Sequence, residues 1–207
     1  MKLETKNLNV WIDSKQVLKN INLEFTEGVY VIKGPNGSGK STLLKTIAGY
    51  PYKIQGKIFF ENKDITSLPM HERVKLGIVL SHQMPPKDLE IQVKDLIWAL
   101  EKKSLIKYVP KELENFLKRK MYEEFSGGEA KLVDFLVSYA LDPKVFLIDE
   151  IDSGLDERNI ELVGKLLSQM KNRIIILTTH TGKILEYLKP KVIIYLENGE
   201  IKDIRKA

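Results

Sequence analysis

Three short stretches hold the residues whose types and spacing could do chemistry. In Gly34-Pro35-Asn36-Gly37-Ser38-Gly39-Lys40-Ser41, the pattern G-x-x-x-x-G-K-S follows an apolar run (29–33) and precedes an apolar-periodic helix beginning at Thr42. Such glycines let backbone N–H groups curl around an anion, and the helix N-terminus adds its positive dipole end. Asn36, Ser38 and Thr42 complete the candidate set. Lys40 could reach the β- and γ-phosphates of a nucleotide, and Ser41 could ligate Mg²⁺. The second stretch is Val145-Phe146-Leu147-Ile148-Asp149-Glu150, an apolar strand with two acids at its C-terminal end, where open parallel sheets bind ligands. Asp149 suits a direct or second-sphere Mg²⁺ ligand, and Glu150 a general base for water. Asp149 alone would read equally well as a solvated strand end; beside a phosphate loop the chemical reading is favoured.

The third stretch is Phe125-Ser126-Gly127-Gly128-Glu129. Ser126 and Glu129 form an S-x-x-E capping box for a helix that buries Leu132, Phe135, Leu136 and Tyr139. The box leaves Gly127 and Gly128 unexplained, since each costs a helix roughly 1 kcal/mol relative to alanine. Two residues without side chains at a helix N-terminus allow an anion to approach the backbone closely.

The elements that must position these residues can be read from periodicity. Leu8, Val10 and Ile12 alternate, 17–25 reads as a second strand, and 29–33 as a buried one. A helix follows over 42–48, stopped by Gly49 and Pro51, then a strand and turn over 56–64, a short helix over 71–77 and a strand ending at Gln83. Residues 92–121 look helical. After them come the helix opened by Ser126, the strand into Asp149, a helix over 156–170, a strand over 173–178, a helix over 181–188 and a hairpin over 191–202. Strands alternating with helices predict an α/β fold with a parallel sheet covered on both faces. The antiparallel start and the helical middle are additions to that core, and no linker separates them.

The chain of 207 residues is 43% hydrophobic and 29% charged, which suits one domain spanning 1–207. Its net charge is +5, but lysines alternate with glutamates through stretches such as 110–125, which argues for a solvated surface rather than nucleic-acid binding. No apolar run nears the ~20 residues a membrane span needs, the N-terminus lacks the apolar core of a signal peptide, and there is no cysteine for disulfides or thiolate metal sites. A cytoplasmic protein without direct membrane insertion is expected.

The phosphate loop, Gln83 after a strand, the Ser126–Glu129 segment, the acidic strand end, Ser153-Gly154-Leu155-Asp156 and His180 occur in the order found in ATP-binding cassette (ABC) ATPases. The resemblance covers nearly the whole chain. It implies a P-loop NTPase (RecA-like) core with an N-terminal antiparallel β subdomain and a short helical subdomain at roughly 85–142. It also implies ATP and Mg²⁺ as cofactors and hydrolysis of ATP to ADP and phosphate. In that family the S-G-G segment of one subunit closes over the ATP held by the phosphate loop of the other. A second copy of the chain would then supply the anion for Gly127 and Gly128. By the same resemblance Gln83 would sense Mg²⁺ and the attacking water, His180 would contact the γ-phosphate, Asp156 would sit at the dimer seam, and Trp11 would stack on adenine. Bland readings stand beside these. His180 could cap or be solvated, Ser153–Asp156 is itself a capping box, and Trp11, on the face shared with Asn9 and Asp13, could be simply exposed or covered by a partner.

Within the family, Asp149–Asp156 looks like the version in the ATPase subunit of the Suf iron–sulfur cluster assembly system, as do 46–86 and 179–201. Those ATPases dimerise on ATP and drive soluble scaffold subunits that carry the cluster, without binding iron themselves. The alternative partner is a transmembrane transporter subunit. A degenerate regulator is disfavoured, because all the expected catalytic residue types are present. There are departures: Leu132 stands where the family usually has arginine, with Lys131 beside it, and Glu129 replaces the commoner glutamine. Only 42 residues separate Gln83 from Ser126, too few for the long coiled-coil insertion of DNA-repair relatives.

Overall fold

Strands buried on both faces alternate two sets of apolar side chains, and that alternation organises the molecule. In the computed structural model, which describes residues 1–82, 116, 125–179 and 181–206, the central sheet has six strands in the order β10-β9-β3-β8-β7-β6. They are β3 (Gly28–Lys33), β6 (Ile78–Ser81), β7 (Val145–Ile148), β8 (Ile174–Thr178), β9 (Val192–Glu197) and β10 (Glu200–Lys206). All neighbouring pairs run parallel except β10 with β9. Tyr30, Ile32, Leu147, Ile174 and Ile176 face one core; Val31, Phe146, Ile148, Ile175 and Leu177 face the other.

A second sheet, antiparallel and ordered β2-β1-β4-β5, closes the first core. It comprises β1 (Lys2–Ile12), β2 (Lys15–Thr26), β4 (Lys53–Phe60) and the two-residue β5 (Lys63–Asp64). Helix α1 (Lys40–Ala48) lies between the sheets and contributes Leu43, Leu44 and Ile47. The second core is covered by α3 (Gly127–Ala140) and α4 (Glu157–Gln169), with Phe135 stacked on Phe146 at 5.5 Å between centroids. The expected fold class, an α/β P-loop core with an antiparallel subdomain, is the one observed.

A buried arginine fixes the far end of α1. Arg73, on α2 (Met70–Lys75) and 1% exposed, donates to the carbonyls of Thr46, Ile47, Leu68 and Thr66 at 2.8–2.9 Å. Burial pushes its guanidinium down to about 10, yet it still carries its charge at neutral pH. It satisfies the carbonyls that a helix C-terminus leaves open.

Two local expectations change. The helix expected over 181–188 is a single 3₁₀ turn, Lys183–Glu186. Gly182 enters it at φ 77 with its N–H on the Thr179 hydroxyl, which turns the chain sharply out of β8 and leaves too few residues for an α-helix. The cap of α4 is Asp156 itself, whose side chain accepts the Asn159 N–H at 2.9 Å, rather than a box begun by Ser153. The helical reading of 92–121, and most of the subdomain expected at 85–142, lie outside the described residues.

Candidate nucleotide and metal site

The phosphate loop leaves β3 in the middle of the sheet, between β8 and β9, where the C-terminal ends of parallel strands converge. Gly39 is the N-cap of α1 at φ 104, a left-handed conformation that disfavours any side chain, and a Cβ there would stand 2.6 Å from Leu18 Cδ2. The helix start therefore has no side-chain cap, and its first turn contains no acid. Its N–H groups and dipole are left for an anion. Ser38 is 2% exposed, and its hydroxyl has no hydrogen-bond partner among the described residues, the state of a group whose partner is a ligand. Lys40 Nζ donates to the carbonyls of Gly34 and Pro35 at 2.9 and 3.1 Å, which folds the ammonium over the loop. Asn36 to Thr42 line a cavity of about 740 Å³.

At the floor, Ser41 Oγ donates to Asp149 Oδ1 at 3.0 Å, joining the loop to the acidic end of β7 across 108 residues of sequence. Asp149 is 2% exposed; its Oδ1 also accepts from the Thr178 hydroxyl at 2.8 Å, while its buried Oδ2 has no partner among the described residues. An orphaned carboxylate oxygen beside a serine hydroxyl is the hard oxygen set that Mg²⁺ takes, so the residues present fit that ion. Glu150 lines the same cavity, with φ 50 and its N–H on Thr178 Oγ1 at 2.9 Å. From α3, Lys131 Nζ donates to the carbonyls of Glu150 and Ser153. Burial pushes the Lys131 ammonium down, against the pull of Glu150, Asp152 and Asp149.

The glycine-rich helix start lies elsewhere. Both capping-box bonds are formed, Glu129 N to Ser126 Oγ at 3.3 Å and Ser126 N to Glu129 Oε2 at 2.9 Å. Among the described residues a Cβ on Gly127 would meet nothing within 4 Å, whereas one on Gly128 would stand 2.6 Å from the Gly154 carbonyl oxygen. None of Ser126–Glu129, nor the exposed Asp156, lines the phosphate-loop cavity.

Gln83 and His180 lie outside the described residues; the residues beside them are held by two buried acids. Asp134 of α3 accepts Ser81 Oγ at 3.0 Å and the His82 N–H at 2.8 Å, anchoring the chain just before Gln83. Asp152 Oδ2 accepts the hydroxyls of Thr179 and Thr181 on either side of His180. Trp11 is half-buried with the Lys53 ammonium 5.7 Å from its ring centroid, and it does not line the cavity; its strand partner Gln16 does, with Lys15, Val17 and Lys19. Bulges shift the pairing of β1 with β2 between Thr5 and Trp11, yet the faces still alternate: Leu8 and Val10 are fully buried, while Asn9 and Trp11 are only partly buried. Sequence reasoning missed Thr178, whose only signal was a hydroxyl ending the otherwise apolar run Ile174–Leu177, and it noted Lys131 only as a neighbour.

The model of the family described as ABC transporter matches residues 18–153, well over half of the chain. The chain belongs to this family. As an ABC ATPase it binds ATP with Mg²⁺ and hydrolyses ATP to ADP and phosphate. A relative from Antithamnion sp., named "Probable ATP-dependent transporter ycf16", is 37% identical, with 96% of this chain and 89% of the relative covered. A nucleotide-free ATP-binding cassette from an ABC transporter superposes with a TM-score of 0.80 at 26% identity, covering 100% of this chain and 92% of the other. The dimeric post-hydrolysis structure of another cassette, bound to ADP and Pi, gives 0.78 at 23% identity, covering 99% and 98%, a likeness of fold. Among the described residues of this ABC ATPase, no helix is long and apolar enough to cross a membrane.

Proposed function

We propose that this ABC ATPase acts as a cytoplasmic homodimer closed by ATP, with the single domain 1–207 of each copy contributing to both sites. In each site Gly34–Thr42 of one copy holds the triphosphate, and Ser126–Glu129 of the other covers the γ-phosphate. The observation that carries this reading is the split geometry. The cavity is lined by the phosphate loop, Glu150 and Ser153, while Gly127 opens an exposed helix N-terminus with free space where a side chain would be. Ser41, Asp149 and Gln83 hold Mg²⁺, which supplies charge neutralisation on the phosphates. Glu150 orients and deprotonates water, His180 contacts the γ-phosphate, and Asp156 meets its counterpart region at the seam. The test is the protein-concentration dependence of the ATPase rate. A rate rising more than linearly supports two-chain sites; strict linearity down to dilute protein contradicts them.

The work done by closure is proposed to be rearrangement of soluble scaffold subunits in Suf-type iron–sulfur cluster assembly. The stretch Asp149–Asp156 carries this narrower reading, with a buried acid, Asp152, at its fourth position. The name of the Antithamnion relative favours a second reading, the ATP-binding subunit of a membrane transporter. Affinity isolation from the native cell separates them: soluble scaffold subunits in the eluate support the first, and a protein with membrane-spanning helices supports the second.

A further inference from the structure

We propose that Thr178 is a positioning residue that orients both the metal-holding acid and the catalytic base. Residues 174–177 of β8 are apolar and fully buried within the sheet; Thr178, also 0% exposed, ends the strand with a hydroxyl. That hydroxyl is spent twice. It donates to Asp149 Oδ1 at 2.8 Å and accepts the Glu150 N–H at 2.9 Å. The first bond, with that from Ser41, occupies Oδ1 and leaves Oδ2 as the free oxygen. The second holds the backbone of Glu150 at φ 50, a conformation uncommon for a residue with a side chain. A β-branched residue in a buried strand has a restricted χ1, so the hydroxyl is fixed before any ligand arrives. Isosteric valine would keep the shape, remove one donor from Asp149 and strand a buried N–H on Glu150. Sequence periodicity gives Thr178 only a place at the strand end, and a purely structural role would need neither bond to reach the acids.

This inference rests on the proposed roles of Asp149 and Glu150. Its test uses the full-length protein, with Mn²⁺ binding to the ADP complex followed by electron paramagnetic resonance, metal-free ADP binding by calorimetry, and steady-state ATPase. Outer partners of metal ligands contribute about 10- to 100-fold in affinity or activity. Thr178→Val is therefore expected to weaken Mn²⁺ about 10-fold and kcat by about 10- to 100-fold, with metal-free ADP affinity held within about twofold. Thr178→Ser should restore both. Thr178→Ala against Thr178→Ser repeats the comparison with the methyl lost from both, so only the hydroxyl differs. Unchanged Mn²⁺ affinity in Thr178→Val, or equal impairment of the Ser and Ala variants, overturns the proposal. The control is Asp149→Asn. If it keeps wild-type Mn²⁺ affinity, the metal assignment itself fails; if it loses Mn²⁺ while Thr178→Val does not, only the role of Thr178 fails.

Discussion

Among the described residues two α-helix starts carry glycine, and they are built in opposite ways. At α1 no side chain caps the helix, Gly39 is forced left-handed, and the open N–H groups face a cavity furnished with Lys40, Ser41 and Glu150. At α3 the backbone is already capped by Ser126 and Glu129, and the outer glycine faces open space. The first is a whole anion cradle made by one chain. The second offers the dipole and a bare backbone that, among the described residues, no side chain covers at Gly127. The structure also separates the two glycines at α3. Gly128 has a reason within the chain, the Gly154 carbonyl that a Cβ would reach at 2.6 Å; Gly127 has none among the described residues.

Variants that break one helix start and spare the other sharpen this contrast. Lys40→Ala strikes the complete cradle and should reduce ATP affinity and turnover together, by about 100- to 1,000-fold in kcat/KM, the scale of losing a charge aimed at the reacting group. Gly127→Val strikes only the second helix start. Turnover should fall about 100-fold while fluorescent-ATP binding to the monomer stays at the wild-type level; lost monomer binding would mean the helix start serves its own nucleotide.

How much of this was legible beforehand follows from how local each feature is. The phosphate loop, the acidic strand end and the capping box are contiguous patterns with fixed chemistry, so Gly34–Thr42, Asp149, Glu150 and Ser126–Glu129 could be read directly. The alternation of apolar residues likewise gave the two-faced parallel sheet. What failed depended on tertiary detail. The Thr179 and Asp152 contacts shortened the helix expected after β8. Thr178 and Lys131 act through bonds to residues 19 to 29 positions away, which no spacing rule exposes.

Gly128→Ala tests the inner glycine as a packing residue. The clash with Gly154 should cost about 1–3 kcal/mol of stability, the usual price of overpacking, readable as a lower urea midpoint that Gly127→Ala does not share. Ser126→Ala should have the smallest effect, about 1 kcal/mol from loss of the cap, measured by the same urea unfolding. A larger loss of turnover than of stability there would show that the serine also meets the ligand.

The central claim is that two chains make each ATP site, and light scattering on Glu150→Gln with ATP and Mg²⁺ tests it most directly. The substitution removes the proposed base while leaving the cradle intact, so ATP should persist and the mass should double from the 23.8 kDa of one chain. Adding Gly127→Val to that background should return it to a single chain that still holds ATP. A Glu150→Gln protein that remains one chain while saturated with unhydrolysed ATP would contradict the account.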